Sequence, residues 1–226
     1  MGAYSANKQG IIKIIELING KLRTDKINNL NYFILNKINI KSTNPLNIYQ
    51  KYYSSLLNNY WLAGFSDADS SFQIKLLKRS SRKLGFEIRL NFQIDQKIPD
   101  MLNQINEIFP GYVGHRKIND TYIYKSSSFA SARKVIKYLD DYHLLSHKYI
   151  DYLKWRKTYA RLMKIKSLNS LLLNPKFNKT INSLSSNSDL VIWRSNLTST
   201  VGYVTKLDPY FVTGFCDAQP YWNLLT

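Results

Sequence analysis

Residues 60–69 read Tyr60-Trp61-Leu62-Ala63-Gly64-Phe65-Ser66-Asp67-Ala68-Asp69. The stretch is short, apolar and closed by two acids. It returns once, at Tyr210-Phe211-Val212-Thr213-Gly214-Phe215-Cys216-Asp217-Ala218-Gln219, with Tyr, Gly, Phe, Asp and Ala in the same places. Internal repetition of this kind marks a repeated structural unit. Gly64 and Ala68 lie four apart and share one helix face. Small residues on that face let a second helix approach closely.

The pattern changes downstream of Asp69. Phe72, Ile74 and Leu76 alternate with Gln73, Lys75 and Leu77. Phe86, Ile88, Leu90, Phe92 and Ile94 alternate with Glu87, Arg89, Asn91, Gln93 and Asp95. Two-residue alternation predicts a half-buried antiparallel hairpin with one polar, partly cationic face. A helix follows at Pro99–Ile108, ended by Pro110-Gly111, then a second hairpin at 112–117 and 121–126 turned at Asn119-Asp120. Helices are predicted at 129–141 and 146–165. Upstream, residues 11–19 predict a short helix stopped by Gly20, and Asp25–Asn36 a second one. Residues 41–50, with Pro45, read as a linker. LRTDKI at 22–27 resembles LLSHKY at 144–149, each after an apolar helix.

Composition narrows the partners. The 226 residues carry 32 Lys+Arg against 15 Asp+Glu, a net charge of +17. That excess points to a polyanion, because phosphate contacts release counterions whatever the base sequence. No run of apolar residues is long enough to span a membrane, and no secretory signal is visible. A single cysteine, Cys216, excludes an intramolecular disulfide and a cysteine-based structural zinc site. His115, His143 and His147 form no obvious metal cluster, and neither a P-loop nor a dinucleotide fingerprint is present. Lys, Ile, Asn and Tyr make up 85 residues, and their AT-rich codons fit an organellar genome.

Leu62–Ser70 resembles the LAGLIDADG motif of homing endonucleases and intron maturases. Leu62, Ala63, Gly64, Asp67, Ala68 and Asp69 match it; Phe65, Ser66 and Ser70 replace Leu, Ile and Gly. The element order matches that family's αββαββα unit, as do FQIDQK at 92–97 and SHKYIDYLKWRK at 146–157. The resemblance implies an α+β fold with an antiparallel saddle sheet. It divides the chain into a remnant of a first unit at 1–45, a linker at 46–57, a complete unit at 58–165, a linker or extension at 166–205, and a degenerate motif at 206–226.

The resemblance further implies that two motif helices pair and bring a carboxylate from each foot together. Side by side these repel unless divalent cations lie between them. Asp69 is the implied catalytic residue and Mg²⁺ ligand, with Asp67 supporting the helix end. Gln96 matches a residue that orders water, and Lys148 one that stabilises charge near the scissile phosphate; Lys26 is its counterpart in the first unit. Gln73, Lys75, Arg79, Arg89, Asn91 and Gln93 from one hairpin, with Arg116, Lys117 and Lys125 from the other, are the DNA-reading candidates. A β-ribbon fits a major groove, where Arg suits guanine and Asn or Gln suits adenine.

The second motif departs from the pattern: Gln219 stands at the acid position and Pro220 at the last glycine. The expectation is therefore a truncated member that completes its site by homodimerising or through a missing N-terminal unit. Three functions remain open: a Mg²⁺-dependent double-strand DNA homing endonuclease of mitochondria, an RNA-binding maturase of a group I intron, or an inactive fragment.

Overall fold

Helix α3, Trp61–Asp69, is buried on every side from Trp61 to Asp67. A helix apolar all round belongs at the centre of a fold, and here the other elements are arranged about it. The structure, a computed structural model, describes residues 8–41, 44–81, 86–172 and 207–219. Asn59 Oδ1 accepts from Trp61 N at 2.9 Å and starts the helix. The Tyr138 hydroxyl donates to Asn59 O at 2.7 Å and accepts from Ala63 N at 3.0 Å, satisfying a first-turn donor that would otherwise be buried unpaired.

The chain divides into two units, residues 1–155 with 208–226, and residues 156–207. The described part of the second is the continuation of helix α6, Lys148–Leu172. The expected extension from 166 onward otherwise lies outside the described residues, apart from that helix and Leu207.

The complete unit has the expected order. After α3 come β1 (Ser70–Lys78), β2 (Phe86–Gln96), α4 (Asp100–Ile108), β3 (Tyr112–Arg116), β4 (Thr121–Ser126), α5 (Phe129–Asp141) and α6. The sheet is antiparallel in the order β1-β2-β4-β3. Its register sets Phe72 opposite Phe92 and Ile94 opposite Tyr124. Leu90, Phe92, Ile94 and Tyr124 are buried, and Phe72 meets the rings of Tyr152 and Trp155 at 5.5 and 5.6 Å between centroids. The alternation continues to the far end of the hairpin, but the core does not: Ile74, Leu76, Phe86 and Ile88 are exposed.

The N-terminal segment forms a second core. Helices α1 (Lys8–Ile18) and α2 (Lys26–Phe33) enclose Ile15, Ile18, Leu22, Ile27, Leu30, Ile34 and Ile38. The uniform helix expected over 25–36 is shorter. It passes at Ile34–Ile38 into a π-helical turn that keeps Ile34 and Ile38 buried. Residues 44–60 have no regular element, yet they are fastened. Tyr52 N donates to Leu22 O at 2.8 Å, the Arg23 guanidinium donates to Ser54 O and Oγ at 2.7 Å each, and Lys51 pairs with Asp25 at 2.6 Å.

The degenerate second motif forms helix α7, Pro209–Ala218. Asp208 caps it, accepting from Tyr210 N at 2.8 Å, and Pro209 fits the first turn, where no N–H is needed. Its Val212 packs on the N-terminal core. Its other face lies against α3, and the two backbones touch. A Cβ on Gly64 would collide with the Phe211 carbonyl, and one on Gly214 with the Trp61 carbonyl. This reciprocal contact between equivalent glycines corrects the expectation of a second copy or a missing unit as the source of the pairing helix, because the chain supplies both. Pro220, at the motif's last glycine position, lies outside the described residues.

Gly64→Val is expected to force the helices apart and cost about 3 kcal/mol, the upper range for overpacking. Urea unfolding would read this as a fall in midpoint at constant slope. An unchanged midpoint would place the pairing of α3 and α7 in doubt.

Candidate active site at the feet of the paired helices

The crossing sends the C-terminal ends of α3 and α7 into one place, and each foot is tied down in the same manner. Asp67 on α3 accepts from Leu145 N at 3.2 Å, Ser146 N at 2.9 Å and Ser146 Oγ at 2.6 Å. Asp217 on α7 accepts from Arg23 N at 2.9 Å, Thr24 Oγ1 at 2.5 Å and Trp61 Nε1 at 3.0 Å. Each buried carboxylate thus holds the loop that leads into a lysine-bearing helix. Burial pushes the Asp217 carboxyl upward, against the opposing pull of its three donors. Arg23, whose guanidinium lies 5.0 Å from the Tyr52 ring and 5.2 Å from the Trp61 ring, closes this anchor.

The lysines complete the correspondence. Lys148 Nζ donates to Ala68 O at 2.5 Å. Lys26 Nζ donates to Cys216 O at 2.6 Å, to Asp217 O at 2.8 Å and to Gln219 O. An ammonium at a helix C-terminus meets both the unpaired carbonyls and the negative end of the dipole. Both ammoniums are lowered by burial; nearby aspartates oppose the shift, Asp69 first for Lys148 and Asp217 first for Lys26. LRTDKI and LLSHKY are therefore equivalent parts: Thr24 answers Ser146, and Lys26 answers Lys148.

Asp69, the last residue of α3, is half-buried between them. Burial raises its carboxyl above the usual carboxylate range, while a hydrogen bond from Gln96 and then the charges of Lys148 and Lys26 pull it back. Gln96, at the end of β2, donates through Nε2 to Asp69 Oδ2 at 2.6 Å and to Ala218 O at 3.2 Å, so one amide touches both feet. Asp69, Gln96, Lys26, Lys148 and Gln219 line an open cavity of about 1140 Å³. Ala68 stands half-buried at the foot, where its carbonyl accepts from Lys148 Nζ.

The donors that face this cavity are hard oxygens. Among the described residues no three His, Cys, Asp or Glu come together. Asp69, the carboxylate at the helix feet, fits a hard dication such as Mg²⁺, which is commonly bound through one or two carboxylates plus substrate phosphates.

The sheet candidates occupy one face. Register sets Gln73 opposite Asn91, Lys75 opposite Arg89 and Gln93 opposite Lys125. Arg116 reaches Asp95 at 3.4 Å, and Lys117 lies in the β3–β4 turn. Arg79 and Arg89 flank Glu87 at 3.2 and 2.9 Å, with Arg89 the main cause of its lowered carboxyl pKa. Asn91 differs from its expected role: it is 1 % exposed, so its amide is enclosed within the face and is not presented to a groove. Gln93 is engaged by Asp95 at 3.2 Å and Gln73 by Gln93 at 3.4 Å. Tyr124 and Trp155 are core residues, and burial moves the Tyr124 phenol to about 12. Sequence reasoning missed Asp217, Arg23 and Tyr138; the Asp217 match to Asp67 was the one available signal.

Known proteins share parts of this sequence and fold. Residues 62–159 match the family described as LAGLIDADG endonuclease. Over 164 residues the chain is 49 % identical to an uncharacterized cox1 intron-2 protein of 37.2 kDa from Schizosaccharomyces pombe, covering 72 % of this chain and 50 % of that one. It is 28 % identical over 187 residues to the intron-encoded DNA endonuclease aI3 of Saccharomyces cerevisiae, covering 66 % of this chain and 45 % of the other. The chain thus spans half or less of these relatives. The fold resembles the LAGLIDADG meganuclease I-CpaMI bound to uncleaved DNA, at 24 % identity and TM-score 0.50 over 72 % of this chain and 60 % of that one. It also resembles I-LtrWI bound to target DNA, at 21 % identity and TM-score 0.50 over 72 % and 57 %. Over residues 62–159, then, this chain is similar to the LAGLIDADG endonuclease family.

Proposed function

We propose that this protein is a site-specific endonuclease of the homing type, acting on double-stranded DNA with Mg²⁺ and encoded in a mitochondrial intron. The observation that carries the reading is the half-buried Asp69 carboxylate, held by Gln96 between two lysine-capped helix feet. The relatives' names, which speak of intron-encoded endonucleases, support the class of reaction and the intron origin. Lys75, Arg79, Arg89, Arg116, Lys117 and Lys125 supply cations to the phosphate backbone, and Gln73 and Gln93 supply amides to base edges. Asp69 and Gln96 hold a hard oxygen where a scissile phosphate enters, and Lys148 keeps a positive charge beside it. Mg²⁺, when bound, polarises the phosphate and lowers the pKa of the attacking water.

A second reading, an RNA-binding maturase of a group I intron, draws on Gln219, since loss of one acid weakens cleavage and leaves the basic face intact. The two part at Asp69.

Asp69→Asn is expected to reduce cleavage by about 1000-fold while duplex binding is kept, in line with the several kcal/mol a metal ion supplies to the transition state. Equal loss of binding and cleavage would contradict the assignment. Lys75→Ala should weaken binding to all duplexes alike and lower the slope of log K against log salt by about 1. A base-specific effect would show that Lys75 reads sequence instead. In the metal-free protein the Asp69 carboxyl should titrate above an exposed aspartate by carbon-13 NMR. Gln96→Leu should raise it further, because it removes a donor to the ionised form. Movement downward would show that Gln96 does not serve Asp69.

A further inference from the structure

The two feet are equivalent in their anchoring and unequal in their chemistry, and each inequality disfavours the foot of α7. The reciprocal glycine crossing, the paired Asp67 and Asp217, and the paired Lys148 and Lys26 make Gln219 the structural counterpart of Asp69. At that place a neutral amide replaces a carboxylate. An amide oxygen is a weaker ligand for a hard dication than a charged one. The second difference lies in the lysines. An ammonium has three donors. Those of Lys26 are met by the carbonyls of Cys216, Asp217 and Gln219, whereas Lys148 donates to Ala68 O. Lys26 is thus committed to the backbone at the foot of α7, and Lys148, with one carbonyl partner among the described residues, has donors for a phosphate oxygen entering the cavity. Gln96 adds to the bias, since its amide pins the Asp69 carboxylate itself but only a backbone oxygen, Ala218 O, on the other foot.

We infer that this protein cuts one strand of its duplex target, at the Asp69 foot, and leaves the strand at the Gln219 foot intact. The inference rests on the endonuclease reading and refines it from double-strand scission to nicking. In the single event a water oxygen forms a bond to phosphorus and one P–O bond to sugar breaks. One water proton goes to solvent and the leaving oxygen takes up another, so one phosphate end and one hydroxyl end result. No electrons change hands, and the co-reactants are water and a divalent cation.

The test begins with a random duplex pool enriched for binding to the whole protein in Ca²⁺. The two strands of the enriched duplexes carry different 5′ dyes, and Mg²⁺ is then added. Breaks in one dye exceeding the other by about 100-fold or more are expected, the scale set by loss of one charge-stabilising group. Breaks in both strands at comparable rates overturn the inference and leave the endonuclease reading standing. No break in either strand overturns that reading and the inference with it. A separate readout is independent of turnover. Crystals of the protein–duplex complex in Mn²⁺ should show one anomalous peak at the helix feet. The isosteric Gln219→Glu, which leaves the fold unstressed, should show two. Two peaks for the native chain, or one for Gln219→Glu, would overturn the assignment of the asymmetry to Gln219.

Discussion

The backbone contact between α3 and α7 is the constraint on which the remaining structure depends. Helix axes usually lie 8–10 Å apart, a spacing set by the side chains between them. Here glycine meets carbonyl in both directions, at Gly64 with Phe211 and at Gly214 with Trp61. Any side chain at either glycine would widen the crossing and part the feet below it. The anchors lie on both sides of this line. Tyr138 holds the top of α3, while Trp61, stacked on Phe65 at 4.8 Å, also donates to Asp217 of the opposite helix. The pair is therefore locked by packing at its centre and by polar bonds at its ends.

Those polar ends explain why acids inside an apolar helix are tolerated. A buried carboxylate costs several kcal/mol unless its oxygens are satisfied. Asp67 and Asp217 each accept three hydrogen bonds from a loop or a facing ring. In return each draws a lysine-bearing helix to the foot of its own motif helix. The N-terminal segment and α7 lie far apart in sequence, yet through Asp217, Arg23, Thr24 and Lys26 they form one half of the arrangement that residues 60–155 provide in the other.

The complete unit was legible because its signals are local. Strand alternation over 72–76 and 86–95, the turn at Asn119-Asp120 and the glycine–alanine spacing of α3 need no knowledge of distant residues. Asp69, Gln96 and Lys148 were legible because the resemblance covers them. The partner of α3 was harder to find. Gln219 and Pro220 made the second motif look spent, although Gly214, Asp217 and Ala218 retain what packing requires. A helix can keep its pairing face and lose its chemistry, since the two reside on different residues. The burial of Asn91 was hidden for another reason. Alternation tells which face a residue occupies, but not how deeply neighbours on the adjoining strands cover it.

Charge at the feet carries the argument one step further. Two carboxylates this near would repel and hold one another's protons unless a dication separated them. With Gln219 in place of the second acid, Asp69 stands beside Lys26 and Lys148 at the helix feet, and Asp25, Asp95, Asp100 and Asp217 line the same cavity with Arg23, Lys51 and Lys97. A dication held by Asp69 would take its further negative ligand from a substrate phosphate, as Mg²⁺ sites with few carboxylates do. Loss of one acid therefore does not merely halve the chemistry of the pair. It leaves Asp69, Gln96 and Lys148 gathered on one side of the feet and a neutral amide on the other.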